Sequence, residues 1–381
     1  MNEISLEELR RMPAASYELI DIRDEGLTLY GVIPNAISIP LTELEAEDCA
    51  GIEALQKEKI LVFYCQIGRK SREIGDLPVL SGRNCLSLEG GYIGYVKAEL
   101  SRASEEGAKQ EKAEESIRGK FRRQLFAPFA EACKTYQLIS KGDRIAVCIS
   151  GGKDSMLMAK LFQEFRRCGD ADFDVIFLVM DPGYNRENRE LIESNAAALG
   201  IPVTIFESEI FNIVDRIEKN PCYICARMRR GYLYSKAKEL GCNKIALGHH
   251  YDDVIETILM GMLHSGQVQT MMPKLHSTNF EGMELIRPLY LVREEDICAW
   301  RDDNDLHFLQ CACHFTDTCT TCHEDGTTSS KRLETKKLIA SLKKDNPSVE
   351  ASIFRSVENV DLSTVIAYKK GKIKHSFLEE Y

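Results

Sequence analysis

The chain has 381 residues, of which 44% are hydrophobic and 28% charged, and its formal net charge is −10. This length predicts two or three globular domains, and the negative charge argues against non-specific binding to bulk nucleic acid. No apolar stretch approaches the roughly 20 residues that cross a bilayer, and the first residues lack a signal peptide, so we expect a cytoplasmic protein without a membrane partner. Fourteen cysteines in that compartment favour metal binding or catalysis over disulfides.

The distribution of apolar runs predicts an α/β fold in two parts. Runs typical of strands occupy residues 17–23, 60–65 and 84–90, then 144–150, 174–180, 202–208 and 244–250. Spans long enough for helices separate them, which favours parallel sheets covered on both faces. Charge and turn patterns divide the chain into four segments: a domain over residues 1–100, a charged linker or solvated helix over 101–118, a second domain over 119–330, and its C-terminal helix and tail over 331–381.

The first domain places Cys65 directly after the apolar run ILVFY. A Gly-containing loop, residues 66–71, follows and opens a helix, so backbone N–H groups converge on this position. Such a site stabilises a thiolate or a persulfide anion. On this stretch alone, a buried and inert cysteine at the end of a strand is the alternative.

Four motifs around Cys65 resemble the rhodanese domain over about residues 1–100. In chain order they are Asp21-Ile22-Arg23-Asp24, the stretch from Ile33 to Leu41, the loop containing Gly68-Arg69-Lys70-Ser71, and Gly90-Gly91-Tyr92. The resemblance implies a rhodanese-like α/β domain in which Cys65 carries sulfur and residues 66–71 form its cradle. Loops of this family often end Gly-x-Arg-Ser, and the departure here leaves the sulfur donor open between a cysteine desulfurase and thiosulfate.

The second domain begins its sheet with AVCISGGKDS, residues 146–155. An apolar strand runs into Ser150-Gly151-Gly152, and this turn opens a helix whose N-terminal amides and dipole suit phosphate oxygens. Lys153 adds a point charge, and Ser150 and Ser155 add hydroxyl donors. Val147 and Asp154 break the usual P-loop spacing, and the GxGxxG dinucleotide fingerprint fails as well.

SGGKDS is similar to the signature of the PP-loop family, whose members cleave ATP between the α and β phosphates. The resemblance implies a PP-loop parallel-sheet domain that binds ATP through residues 150–155. It also implies an adenosine contact at Asp181 and further contacts from Gly248 and His249 at the end of a later strand. Asp252 and Asp253 add carboxylates that either hold Mg²⁺ or orient a base, and the sequence does not decide between these roles.

The cysteines of the second domain fall into two groups. Cys222 and Cys225 form a Cys-x-x-Cys pair, and the downstream group comprises Cys311, Cys313, Cys319 and Cys322. The pair suits a redox pair, half a zinc site or part of an iron–sulfur site. A redox pair is disfavoured because the motif does not follow an early strand, as it does in thioredoxin-like folds. The downstream spacing, taken alone, also fits a zinc knuckle.

The motif order CYICARMRRG, GHHYDDVIETILM, MMPKL, IRPLYLVREEDI and Cys311 resembles the tRNA 2-thiocytidine synthetase family over roughly residues 119–365. The resemblance implies a [4Fe–4S] cluster held by Cys222, Cys225 and a third ligand, which is either Cys311 or Cys313. Three thiolates leave one iron open to an external sulfide, and zinc is the alternative metal. Cys319 and Cys322 have no counterpart in the family and suit a sulfur relay, a small zinc site or surface thiols.

Together these resemblances imply an ATP-dependent tRNA sulfurtransferase. The PP-loop would adenylate the C2 oxygen of a pyrimidine, a cytidine of the anticodon loop in this interpretation, and sulfur carried by Cys65 would replace that oxygen. Two basic groups suit tRNA phosphates: Arg227, Arg229 and Arg230, and Lys120, Arg122 and Arg123. The alternatives are a sulfurtransferase for tRNA uridine or a small molecule, and a non-catalytic sulfur or redox sensor. The resemblance also suggests a homodimer.

Overall fold

The computed structural model describes residues 1–28, 31–45, 50–104, 108–169, 172–208, 210, 221–308, 331–371 and 373–379. The chain separates into two compact units. The first comprises Met1–His250 with Pro273–Thr328, and the second comprises Tyr251–Met272 with Ser329–Tyr381. No helix in the described ranges is long and apolar enough to cross a membrane.

The N-terminal part of the first unit is built on a five-stranded parallel sheet. Its strands are β1 (Asn2–Ile4), β2 (Tyr17–Asp21), β3 (Ile37–Ser38), β4 (Ile60–Tyr64) and β5 (Cys85–Leu88), in the order β1-β5-β4-β2-β3. Its helices are α1 (Leu6–Arg11), α2 (Glu25–Thr28), α3 (Leu41–Leu44), α4 (Ala50–Glu53), α5 (Arg69–Glu73) and α6 (Gly91–Ser104). The apolar runs predicted as strands form its core, in which Ile20, Leu61 and Phe63 are fully buried.

A second sheet of six strands forms the rest of this unit. The strands are β6 (Arg144–Ile149), β7 (Asp174–Asp181), β8 (Val203–Glu207), β9 (Lys244–Ala246), β10 (Lys274–His276) and β11 (Glu284–Ile286). Their order is β10-β11-β9-β6-β7-β8, and all pairs are parallel except β10 with β11. The sequence predicted β9 as far as residue 250, but the strand ends at Ala246, and Gly248 after it packs against the start of the helix that begins at Lys153.

In the described residues of this unit, six α-helices surround or connect to that sheet. They are α7 (Ala108–Arg118), α8 (Ala127–Thr135), α9 (Lys153–Arg167), α10 (Arg186–Ala198), α11 (Pro221–Glu239) and, later in the chain, Glu294–Asp303, which we label α13. A π-helical turn, Arg122–Phe126, leads into α8.

Helix α7 lies in the charged stretch that the sequence suggested as a linker or solvated helix. One of its faces is buried, with Ala113 and Ile117 no more than 1% exposed. Its opposite charges pair with α9, since Glu114 Oε1 lies 2.7 Å from Lys160 Nζ and Arg118 Nη2 lies 2.7 Å from Glu164 Oε1. These contacts fix residues 108–118 against the helix that opens at Lys153.

The described part of the second unit combines three α-helices with a two-stranded hairpin. These elements are α12 (Tyr251–Ser265), α14 (Lys331–Asp345), α15 (Val349–Ser356), β12 (Ala367–Lys370) and β13 (Ile373–Ser376). The ring of Tyr251 stacks on Phe354 with centroids 4.5 Å apart. Arg332 joins α14 to α12 through ion pairs with Asp253 and Glu256.

Candidate active site

The turn between β6 and α9 is shaped by glycine. Gly151 has a φ of +88°, a left-handed conformation that favours glycine. Gly152 then returns to extended backbone as the N-cap, and the 15-residue helix α9 begins at Lys153. The first amides of such a helix have no intrahelical acceptor, and together with the dipole they form a site for anionic oxygens.

Hydroxyl groups hold this turn closed. Ser155 Oγ donates to the Gly152 carbonyl over 2.9 Å and accepts from the Ser150 amide over 3.2 Å. The hydroxyl groups of Ser150 and Ser155 also lie 3.2 Å apart. The two serines predicted as phosphate donors therefore also build the turn that would receive the phosphate.

Lys153 is the buried cation of this site, with 5% of its surface exposed. Its Nζ lies 3.0 Å from Asp154 Oδ1 and 3.1 Å from Glu294 Oε1, at the start of α13. Burial disfavours the ammonium, but the two carboxylates outweigh it and raise the pKa of Lys153 above its usual range. Sequence reasoning did not single out Glu294, although it stands within the quoted motif IRPLYLVREEDI.

The loop after β9 meets the loop after β6 at a switch point of the sheet. Strand β6 lies between β7, the next strand along the chain, and β9, which comes later. The strand order therefore reverses between β6 and β9, and open α/β sheets bind ligands at the carboxyl ends of strands at such a point. A Cβ on Gly248 would stand 3.3 Å from the Ser155 amide nitrogen, so this loop packs directly on the start of α9. His250 is buried, with Nε2 3.9 Å from Asp154 Oδ1, and His249 beside it is half-buried.

Asp181 ends β7 at the same edge of the sheet, but local contacts occupy its carboxylate. Oδ1 accepts hydrogen bonds from the Gly183 amide at 2.8 Å and the Tyr184 amide at 2.7 Å. Oδ2 accepts from Arg189 Nη1 at 3.2 Å. Asp181 thus shapes the loop that follows β7, and its direct contact with adenosine stays a prediction.

Asp252 and Asp253 lie in the first turn of α12, in the second unit. Asp253 Oδ1 is 3.2 Å from Arg332 Nη1. No group of three His, Cys, Asp or Glu side chains arranged to hold a metal occurs in the described ranges. The role of the two carboxylates towards Mg²⁺ or a base therefore stays a prediction.

Cys65 follows β4 and is 5% exposed. The loop after it turns at Gly68, with a φ of +83°, into α5. Ser71 Oγ lies 3.6 Å from Cys65 Sγ, 3.2 Å from the Gly68 carbonyl oxygen and 2.8 Å from Ser87 Oγ. The backbone of Gly91 packs directly on the backbone of Cys65, since a Cβ at Gly91 would stand 2.4 Å from the Cys65 carbonyl oxygen.

The buried guanidinium of Arg23 contacts the loop that follows Cys65. Arg23 forms a two-pronged ion pair with Asp21, with distances of 2.9 and 2.6 Å, and its Nη1 donates to Gln66 Oε1 at 3.4 Å. The guanidinium lies 3.8 Å from the ring centroid of Tyr92. Burial raises the pKa of Tyr92 to about 12, although Arg23 lowers it, so the phenol stays protonated.

Tyr92 connects the N-terminal sheet with the end of the PP-loop-like sheet domain. Its hydroxyl lies 3.3 Å from His307 Nδ1, and Lys97 of the same helix pairs with Glu190 of α10 at 2.6 Å. Next to this junction is a cavity of about 320 Å³, lined by Thr28, Gly31, Val32, Arg301, Asp302, Asp305, Leu306 and His307. The two sheets therefore share side-chain contacts as well as the connecting chain.

Helix α11 carries both members of the Cys-x-x-Cys pair. The two cysteines are three positions apart in this helix. Cys225 is 9% exposed and packs with Met180 and Ile210. The side chain of Cys222, and the whole of Cys311, Cys313, Cys319 and Cys322, lie outside the described residues.

Family comparisons match both halves of the first unit. The PP-loop domain matches residues 120–314 and the rhodanese-like domain matches residues 5–98. Among solved structures, the U34-tRNA thiolase NcsA from Methanococcus maripaludis, with its [4Fe-4S] cluster, is 22% identical with a TM-score of 0.48. The match covers 62% of this chain and 79% of that one.

Two curated relatives are closer in sequence, and both are named tRNA-cytidine(32) 2-sulfurtransferase. The protein of Anaeromyxobacter dehalogenans strain 2CP-C is 34% identical over 241 residues, covering 62% of this chain and 79% of the relative. That of Geobacter sulfurreducens is 35% identical over 233 residues, covering 60% and 86%. These matches confirm the fold class and the family resemblances predicted from the sequence. The chain belongs to the PP-loop family, in the branch whose relatives carry that name, and it has a rhodanese-like domain ahead of the PP-loop domain.

Proposed function

We propose that this protein is an ATP-dependent sulfurtransferase that converts cytidine 32 of tRNA to 2-thiocytidine, with sulfur supplied through Cys65. One observation carries the proposal: a single compact unit holds both an anion-binding turn at a sheet switch point and a cysteine loop in which Ser71 can donate a hydrogen bond to Cys65 Sγ. The name shared by the curated relatives supports tRNA and the cytidine position.

The reaction divides into activation and substitution. The C2 oxygen of cytidine attacks the α-phosphorus of ATP, which forms a C–O–P ester and releases pyrophosphate. The turn at Ser150–Ser155 and the ammonium of Lys153 would hold the departing phosphates, because they present donors and positive charge where negative charge develops. Sulfide at C2 then breaks the C–O bond, and AMP leaves with the oxygen.

Sulfur arrives in a different oxidation state and must be reduced. A donor such as thiosulfate or a cysteine desulfurase transfers a sulfane sulfur to Cys65 and forms a persulfide. Two thiols reduce this persulfide, releasing hydrosulfide and the Cys65 thiol while they form a disulfide. Ser71, whose hydroxyl lies 3.6 Å from Sγ, is placed to donate to the anionic sulfur.

Cysteine thiolates are the usual ligands of iron–sulfur clusters, and this chain has cysteines that could serve as such ligands. Cys222 and Cys225 of α11 would supply two thiolates, with Cys311 or Cys313 as the third. When bound, such a cluster supplies an iron that can hold sulfide. Asp252 and Asp253 would serve Mg²⁺ or a base, and a homodimer stays a prediction.

Basic side chains on α11 and in the turn before α8 suit tRNA phosphates. Arg227 and Arg230 on α11 are exposed and Arg229 is half-buried. Arg122 and Arg123 are exposed, whereas Lys120 pairs with Asp303 and is engaged within the protein. We therefore expect Arg122 and Arg123, rather than Lys120, to contribute to tRNA affinity from that group.

The test is thiolation of a tRNA transcript by the whole 381-residue chain, reconstituted with iron and sulfide under anaerobic conditions. MgATP, thiosulfate and dithiothreitol complete the reaction, and nucleoside mass spectrometry with fragment mapping locates the product. We expect 2-thiocytidine at position 32, with one AMP and one pyrophosphate per sulfur inserted. A thiolated uridine, or ATP consumption that is independent of tRNA, would overturn the proposal.

Two variants separate the two halves of the reaction. Cys65→Ser is expected to lose thiosulfate-driven thiolation but to keep activity when inorganic sulfide replaces thiosulfate. Lys153→Met is expected to lose activity with both donors, because activation itself fails. If Cys65→Ser works equally well with thiosulfate, the proposed role of the rhodanese-like domain is wrong.

A further inference from the structure

The C-terminal segment differs in charge from the rest of the chain. Residues 331–381 contain eleven Lys and Arg against seven Asp and Glu, a net charge of +4 in a chain whose total is −10. Four of these lysines fall within the six residues 369–374, in and between β12 and β13. The hairpin is thus a local basic feature on an acidic protein.

The pairing of the hairpin places like charges opposite one another. Lys369 is the direct cross-strand partner of Lys374, and both are exposed. Like charges at directly opposed positions destabilise a sheet. Neither of them, nor Lys370, has an ion-pair partner among the described residues, whose pairs in this unit involve Arg332, Lys343 and His375 instead. The arrangement is therefore unfavourable in the free protein and suits a polyanion that neutralises both lysines.

The other face of the hairpin carries aromatic and apolar groups together with Lys370, the cross-strand partner of Ile373. Tyr368 and His375 are also cross-strand partners, and their rings stack with centroids 4.9 Å apart. Ile373, on the same face, is 64% exposed. Helix α14 of the same unit carries two further exposed lysines, Lys337 and Lys344, without an ion-pair partner among the described residues. Lysines beside flat rings are the combination that binds nucleic-acid backbones and bases.

We propose that the β12–β13 hairpin is a docking surface for the phosphate backbone of tRNA, with Lys369, Lys370 and Lys374 as its contacts. This inference rests on the proposed function, because it takes tRNA as the substrate. The surface would raise affinity for any tRNA without reading sequence, since phosphate contacts position a nucleic acid and do not discriminate bases.

The test compares a triple variant, K369Q/K370Q/K374Q, with the unmodified protein in binding to a tRNA transcript at several salt concentrations. The matched control is K57Q/K134Q/K141Q, which removes the same charge from three exposed lysines elsewhere. We expect the hairpin variant to bind about tenfold or more weakly at 0.1 M salt, and its salt slope to fall by about 2 to 3. We expect the control to stay within about twofold of the unmodified protein.

The outcomes separate this inference from the function on which it rests. An unmodified protein that neither binds nor thiolates tRNA removes the proposed function. An unmodified protein that thiolates tRNA, with a hairpin variant of equal affinity and salt slope, overturns only the docking surface. Light scattering on the same samples measures self-association. If the hairpin variant loses self-association and keeps its tRNA affinity, the hairpin contacts protein, and the inference is wrong.

Discussion

The hydroxyl of Tyr92 lies 3.3 Å from Nδ1 of His307, although the two residues are 215 positions apart in the chain. Tyr92 follows the glycine pair that packs on the Cys65 loop, and His307 follows α13, whose first residue, Glu294, pairs with Lys153. The contact therefore links the two elements that carry the sulfur cysteine and the phosphate-binding lysine. It indicates a rhodanese-like domain that is docked in place as well as tethered.

Removing the Tyr92 hydroxyl tests this docking contact. Tyr92→Phe is expected to lower the free energy of unfolding by about 1 kcal/mol, because a buried His307 nitrogen loses its partner. Tyr95→Phe is the matched control, since Tyr95 also packs edge-on against His307 but has no hydrogen bond from its hydroxyl in the described structure. Thermal unfolding of both variants checks the difference. Equal melting temperatures would argue against a role for the Tyr92–His307 hydrogen bond.

The same junction makes stability depend on pH. Burial lowers the pKa of His307, and nearby Lys109 and Arg301 act in the same direction, while Asp305 opposes them. The unfolded state then binds a proton near pH 6.5 that the folded state still excludes, so folding stability falls as the pH drops below about 6.5. Replacing the ring by His307→Asn is expected to remove this part of the acid dependence. Melting temperatures of the unmodified protein and the His307→Asn variant, measured from pH 8 to pH 5, should converge towards acid pH. Parallel curves would show that His307 is not the source of this pH dependence.

The local features of both sites could be predicted from the sequence because short-range rules govern them. A strand, a glycine turn and a helix follow one another within AVCISGGKDS, and their backbone geometry is set by adjacent residues. The loop after Cys65 obeys the same logic, with Gly68 at the turn. Asp181 shows the limit: its position at the sheet edge followed from the pattern, but the use of its carboxylate in the 183–184 turn depends on side-chain geometry.

Contacts across long sequence separations could not be predicted in this way. Glu294 stands 141 positions from Lys153, and only the packing of α13 on α9 brings its carboxylate to the ammonium. The burial of one face of α7 also depends on tertiary structure, because its charged composition alone suits either a solvated helix or one held by ion pairs. A single sequence contains no signal for such pairing.

Two lysines on helix α9 are expected to differ in role. Lys153→Met should reduce AMP formation by about 10² to 10³-fold, because it removes the charge that would stabilise the departing pyrophosphate. Lys160→Met should instead lower the free energy of unfolding by about 3 kcal/mol, since Lys160 is fully buried and pairs with Glu114. Pyrophosphate release and urea unfolding, measured on both variants, separate the effects. A Lys160 variant that folds normally but loses activity would contradict this division.

The hydroxyl of Ser71 is expected to matter for sulfur uptake at Cys65. Ser71→Ala removes a donor 3.6 Å from Sγ, and the persulfide anion then loses a hydrogen bond worth about 1 to 2 kcal/mol, or roughly 5- to 30-fold in rate. Ser87→Ala is the matched control, because Ser87 contacts Ser71 at 2.8 Å and its side chain has no described contact with the sulfur. Thiocyanate formation from thiosulfate and cyanide measures the rate of sulfur transfer through Cys65 without involving tRNA or ATP. If both variants slow this reaction equally, Ser71 acts through the packing of the loop and not by donating to the sulfur.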